Sequence, residues 1–252
     1  MISGSSHERI IVLRIGKYYL SPLMLILLAI MLVQSIQRYG SFMDWLMMTV
    51  ITLPGIVIGI SFHEFAHAEV ANLLGDPTAK NQGRVTINPA AHVDPIGFIC
   101  LLFLGFGWGV PVPYNPYNLK NRRLGELAIS LAGVVMNFFI ALIAGAVLAG
   151  LYKRGCSLSL MGGVGGIMAL VVYFIMQINL VLMVFNLIPI PPLDGFGVLD
   201  ALLNFKGNSK LVEFLRRNGF LVLMLLIIFN VVGLVLTPAV SGLMRFILGI
   251  FM

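Results

Sequence analysis

Apolar residues run along this chain in long blocks, and polar residues punctuate them. Residues 20–36 form the first block, within the ~17–25 residues a helix needs to cross a bilayer core. A short loop bordered by Arg38 and Asp44 leads to a longer block, residues 45–74, in which Pro54 and Gly55 mark a candidate kink. Gly75-Asp76-Pro77 is a helix stop signal. Residues 126–151, 165–188 and 220–236 predict three further spans, and residues 239–252 a shorter apolar tail, a sixth span or a half-span.

Residues 78–125 break this pattern. Arg84-Val85-Thr86-Ile87-Asn88 has strand-like composition and ends at a proline. Residues 96–110 are apolar but glycine-rich, between Asp94-Pro95 and Pro111-Val112-Pro113. This stretch reads as a membrane-embedded β-hairpin or re-entrant region, tolerated at depth only where protein or a water cavity satisfies its backbone. The fold class expected is therefore an all-α polytopic membrane protein with about six transmembrane segments. Residues 1–252 read as one integral membrane domain, with residues 1–19 a cytoplasmic leader that lacks a cleavage pattern. No internal repeat and no soluble domain is visible.

Composition agrees. Hydrophobic residues make up 59% and charged residues only 10%, where a soluble domain carries about 25% charged. The net charge of +6 does not indicate nucleic acid, because the basic residues sit in short clusters between apolar blocks. They act instead as topology signals. With the N-terminus inside, Arg9, Arg14, Lys17, Lys80, Arg84, Lys120, Arg122, Arg123, Lys206, Lys210, Arg216 and Arg217 face the cytoplasm. Arg38, Lys153, Arg154 and Arg245 fall outside. Cys100 and Cys156 form no CxxC pair and no disulfide framework.

Within the second block stands His63-Glu64-Phe65-Ala66-His67. On a helix, residues four apart share a face, so two imidazoles can grip one metal while the glutamate stands by its water. A charged side chain at mid-membrane costs ~2.5–3.5 kcal/mol on insertion scales, so these groups need a partner or a cavity. The plain alternative is a structural bundle hydrogen-bonded through them. His67 precedes the helix stop at Asp76 by nine residues, about 14 Å at 1.5 Å per residue, which places the pair inside the bilayer.

A catalytic zinc takes three protein ligands and an open position. Glu69 is too close in sequence to supply the third. His92, Asp94 and Asp194 remain, and Asp194 is favoured. It ends Asn186-Leu-Ile-Pro189-Ile-Pro191-Pro192-Leu193-Asp194-Gly195, where prolines stop the preceding helix and stiffen the chain. Asp94 has the alternative of capping a turn before Pro95. His92 could bond within the hairpin or touch substrate. A metal transporter would call for ligands on other spans and an inverted repeat, which the sequence lacks. A scaffold or pseudoprotease would call for a broken HExxH.

These residues resemble the site-2 protease family of intramembrane metalloproteases. HEFAH followed by Gly75-Asp76 carries the likeness, as does the N-x-x-P-x-x-x-L-D-G pattern of residues 186–195. It extends through residues 88–97, 107–113, Ser130-Leu131-Ala132-Gly133 and Asn137, and so covers residues 60–200. Val134 stands where the family usually has proline, and the chain leaves no room for the PDZ or CBS domain of many relatives. The resemblance implies a three-helix catalytic core, one Zn2+ on His63, His67 and Asp194, Glu64 as general base, and transmembrane protein substrates such as membrane-tethered regulators. Zinc would lower the pKa of a water towards ~7, and Glu64 would carry the proton to the leaving amine. Asn137 is a candidate oxyanion donor, with an interhelical hydrogen bond as the alternative. Asn179 and Asn186 share a helix face and could bind substrate backbone or pack the bundle. A strand edge at residues 84–88 or 111–113 could receive an unwound substrate.

Overall fold

The computed structural model describes residues 13–15, 18–20, 33, 36–37, 39–104, 109–203 and 210–252. The chain divides into two compact units, residues 1–49 with 95–108 and residues 50–94 with 109–252. The first expected span, residues 20–36, lies largely outside the described residues.

The first unit holds a short antiparallel ladder, β1 (Leu13–Ile15) with β2 (Tyr18–Leu20), in which Leu13 pairs with Leu20. It also holds the start of α1 (Phe42–Leu73) and all of α3 (Pro95–Leu104). Ser41 opens α1: its Oγ accepts from the Asp44 amide at 3.0 Å and donates to the Asp44 carboxylate at 2.7 Å.

The second unit carries the rest of α1, the single turn α2 (Thr78–Asn81), and five longer helices. These are α4 (Arg122–Lys153), α5 (Gly163–Asn186), α6 (Asp194–Leu203), α7 (Lys210–Ile228) and α8 (Val231–Phe251). The structure is mostly helical, and among the described residues α1, α4, α5 and α8 are long and apolar enough to cross a membrane, which points to a membrane protein. The core of this unit is apolar side chains of three helices: Ala141, Ala144 and Leu148 of α4, Met176 and Leu180 of α5, and Met244 and Ile247 of α8.

Small residues set the helix spacing. A Cβ at Gly55 would meet Phe174 O at 3.0 Å, and one at Gly59 would meet the Leu182 side chain at 2.5 Å, so α1 and α5 run parallel in close contact. Along α4 the order reverses: His67 meets Ile129, and Gly133 reaches His63 as well. Lys153 Nζ donates to Phe251 O at 2.9 Å, so α4 and α8 end together.

Four expectations are corrected. Residues 84–88 form no strand. Thr86 N bonds Arg84 O, Asn88 N bonds Thr86 Oγ1, and the Asn88 carboxamide caps the turn Pro89–Ala91. Local side-chain bonds of this kind compete with a ladder and win here. The β-hairpin expected in residues 78–125 is not confirmed: their described part shows one isolated antiparallel bridge, Val93 with Gly109. Residues 95–104 are helical, since Pro95 suits a first turn and no glycine follows between 98 and 104. The predicted span 220–236 is broken at Asn230, which turns left-handed at φ 56°, and α8 takes over as a 21-residue helix reaching Phe251. Finally, α1 stops at Leu73, so His67 sits six residues, about 9 Å, from its end.

Candidate metal centre

Three side chains from two distant segments meet in the second unit. His63 and His67 lie one turn apart on α1, and Asp194 begins α6. Asp194 returns to them because the chain after α5 turns tightly. Ile190 N bonds Ile188 O, and Leu193 N bonds Ile190 O. Gly195 then packs directly on backbone: a Cβ there would lie 2.2 Å from Leu187 O, so only glycine fits. Arg123 of α4 holds the far end of α6, its Nε donating to Ala201 O at 2.7 Å and its terminal nitrogen to Leu202 O at 2.6 Å.

The reactive atoms form a small triangle. His63 Nε2 and His67 Nε2 are 3.0 Å apart, and Asp194 Oδ2 lies 3.1 Å from the first and 3.3 Å from the second. The rings stand edge-on at 81°. His67 Nδ1 donates to Ile129 O at 2.7 Å, which leaves its Nε2 as a lone pair facing the other two atoms. Asp194 Oδ2 makes no hydrogen bond among the described residues despite these short distances. Two imidazole nitrogens and a carboxylate oxygen converge on one point, an arrangement that requires a shared proton or a cation.

The triangle fits a metal. Ligands at ~2.0–2.1 Å on tetrahedral zinc are separated by ~3.3 Å, and the three sides here are 3.0, 3.1 and 3.3 Å. The donor set of two imidazoles and a carboxylate suits zinc, and both histidines are buried. Gly133 of α4 clears the space: a Cβ there would lie 2.5 Å from His63 Cε1 and 2.5 Å from His67 Nε2.

Glu64 is not in the triangle. Its Oε2 accepts from the Val112 amide at 3.0 Å, which ties the glutamate to the Pro111–Pro113 segment. His92, expected as a substrate contact, is fully buried and lies apart from the cluster. Its Nε2 donates to Thr86 O at 2.6 Å and its Nδ1 faces Arg84 at 3.5 Å. Asn179 and Asn186 bond back to carbonyls one turn earlier, Ile175 O at 2.8 Å and Leu182 O at 3.0 Å. Asn137 is fully buried, and neither amide atom is hydrogen-bonded among the described residues.

Sequence reasoning did not find the partners on the main chain, Ile129 O and Val112 N–H, because backbone groups leave no mark in residue identity. Gly133 left one: a glycine within a 32-residue helix costs ~1 kcal/mol against alanine and asks for a packing reason.

No family model matches the chain, and no solved structure matches it. Curated relatives do. Over 187 residues the chain is 36% identical to "Putative zinc metalloprotease YwhC" of Bacillus subtilis, covering 74% of this chain and 84% of that protein. It is 26% identical over 197 residues to "Putative zinc metalloprotease Rip2" of Mycolicibacterium smegmatis, covering 76% and 69%. The Mycobacterium tuberculosis protein of the same name is 25% identical over 199 residues, covering 77% and 69%.

Proposed function

Because the chain belongs to the site-2 protease family of zinc metalloproteases, we propose that it is an intramembrane endopeptidase that cleaves membrane-spanning proteins within or beside the bilayer. The observation that carries this reading is the triangle of His63, His67 and Asp194, with sides of 3.0–3.3 Å, whose two histidines stand on an apolar helix long enough to span a membrane.

In this reading His63, His67 and Asp194 hold one zinc ion per chain. When bound, zinc supplies Lewis acidity, bringing a water to a usable pKa near ~7 and polarising the scissile carbonyl. The chain's own residues do the rest. Ile129 O holds His67 in the tautomer whose Nε2 can ligate. The tight turn over residues 187–193 and the bare Cα of Gly195 hold Asp194 against the histidines. Glu64, next to His63 and held by the Val112 amide, takes a proton from water and passes it to the leaving amine as the peptide C–N bond breaks. Asn137, with an unused buried amide, remains the candidate donor for the developing oxyanion.

The substrate class is a membrane-tethered protein whose helix must unwind locally before its peptide bonds are exposed. The basic residues favour a multi-pass bacterial membrane protein with its N-terminus and active-site side cytoplasmic, in line with α1 and α5 running opposite to α4 and α8. The test is Glu64→Gln in purified full-length protein. Zinc stays at one per chain while cleavage of a transmembrane reporter falls to background; undiminished cleavage would remove Glu64 from the mechanism.

A further inference from the structure

Pro111-Val112-Pro113 presents a single N–H, because both flanking prolines lack one. That N–H points at Glu64 Oε2 at 3.0 Å. It belongs to the peptide unit whose other edge is the Pro111 carbonyl, and that carbonyl accepts from Arg84 Nη1 at 3.2 Å. Arg84 and Glu64 therefore hold opposite edges of one planar trans peptide. The second Arg84 terminal nitrogen donates to the preceding carbonyl, Val110 O, at 2.5 Å.

We propose that Arg84 is a positioning residue for Glu64, acting through the Pro111–Val112 peptide. This deepens the proposed protease function and rests on it. The physical case has three parts. A cation on the carbonyl edge polarises the peptide and strengthens the N–H···carboxylate bond on the other edge. Residues before proline are confined to extended backbone, and here both Val110 and Val112 precede proline. The segment is therefore stiff, and fixing two successive carbonyls fixes where the one N–H points. Arg84 is in turn held in place. His92 Nδ1 faces it at 3.5 Å, and His92 Nε2 donates to Thr86 O at 2.6 Å. Val110 N also bonds His92 O at 2.7 Å, and a Cβ on Gly109 would sit 2.8 Å from that same oxygen. The buried His92 thereby gains a role as a support for Arg84.

The experiment uses full-length zinc-loaded protein in detergent and compares wild type, Arg84→Ala, Arg84→Lys and Val112→Pro. Arg84→Ala is expected to lower kcat about 10- to 100-fold with KM within about twofold and zinc content unchanged. Val112→Pro, which removes the N–H, is expected to match it, and the double variant to lose no more than either alone. Lysine reaches only one carbonyl, so Arg84→Lys falls between; it also decides the matter if the alanine variant does not fold, since a wild-type kcat in Arg84→Lys overturns the proposal. Hydrogen exchange gives a readout independent of catalysis. The Val112 amide is expected to be slow in wild type and fast in Arg84→Ala, with or without zinc. A loss carried by KM alone, an unchanged Val112 exchange rate, or additive losses in the double variant would each overturn the proposal. Absence of cleavage by wild type, or cleavage by Glu64→Gln, would instead break the protease reading and leave the exchange result to judge the Arg84 link.

Discussion

Asp76 and Asp194 are two carboxylates withdrawn from water in the same unit, and their surroundings differ in kind. Asp76 is fully buried and accepts from four donors: the Thr78 amide at 3.1 Å, the Thr78 hydroxyl at 2.5 Å, the Asn115 amide at 2.6 Å and the Asn118 carboxamide at 2.8 Å. Its charge is answered, and it ties the loop before α4 to the end of α1. Asp194 faces two imidazole nitrogens at 3.1 and 3.3 Å, and its Oδ2 has no hydrogen bond among the described residues. One site is complete as folded, and the other is complete only with a cation. Buried polar groups are ordinarily satisfied, so the exception marks where chemistry is expected.

The strongest break of this comparison is Asp194→Asn. The amide keeps the shape but removes the negative charge and half the acceptor capacity. Zinc content is expected to fall from one per chain to near zero, and cleavage by at least ~10³-fold. With chelator present, thermal stability should equal that of chelated wild type, because an unfilled site has little to lose. Full zinc retention by this variant would show that the ligand set is wrong.

Much of this was legible in the sequence, and for identifiable reasons. HExxH is a helix-face pattern, and α1 is one long helix, so His63 and His67 had to be neighbours. Asp194 was legible because the prolines before it end the preceding helix and hold the chain rigid, so that its carboxylate is delivered by an irregular segment rather than from within a span. Other features had no such signature. Asn230 sits in an apolar run that hydropathy reads as continuous, and only its left-handed backbone divides α7 from α8. Residues 84–88 have strand composition, but Thr86 and Asn88 spend their side chains on local turns. The strongest neighbours of Glu64 and His67 are main-chain atoms of Val112 and Ile129, and residue identity does not encode them.

A paired substitution sharpens the contrast within one helix. Gly133 and Gly145 both lie on α4 where a neighbour comes too close for a Cβ. At Gly133 the neighbours are the two imidazoles, at 2.5 Å from the would-be Cβ; at Gly145 it is Ile247 Cγ2, at 2.3 Å. The imidazoles belong to the triangle, whereas Ile247 is a fully buried core side chain of α8 that takes no part in it. Gly133→Ala is expected to weaken zinc binding about 10- to 100-fold, read by chelator competition. Gly145→Ala is expected to leave zinc affinity alone and to cost ~1–3 kcal/mol of stability by overpacking. The reverse pattern would mean that Gly133 serves only helix packing.

The smallest effect is expected at Asp76. Burial alone would raise its pKa, but the Thr78 hydroxyl, the Asn118 carboxamide and the Asn115 and Thr78 amides outweigh it and hold the carboxyl below its ordinary 3.8. A folded pKa below the unfolded one means that this stabilisation is present in full above the unfolded value and is lost as pH falls through the folded one. Asp76→Asn turns an NH2 group towards one of the donors now facing a carboxylate oxygen, so it should cost ~1–3 kcal/mol at pH 7. The gap between wild type and variant should narrow only as pH falls below the ordinary 3.8 and through the lowered folded value, where wild type also gives up its charge. Zinc content should not change, because Asp76 shares no atom with the triangle. Zinc loss on a par with Asp194→Asn would merge the two sites into one and end the distinction between a carboxylate that is already answered and one that waits for a cation.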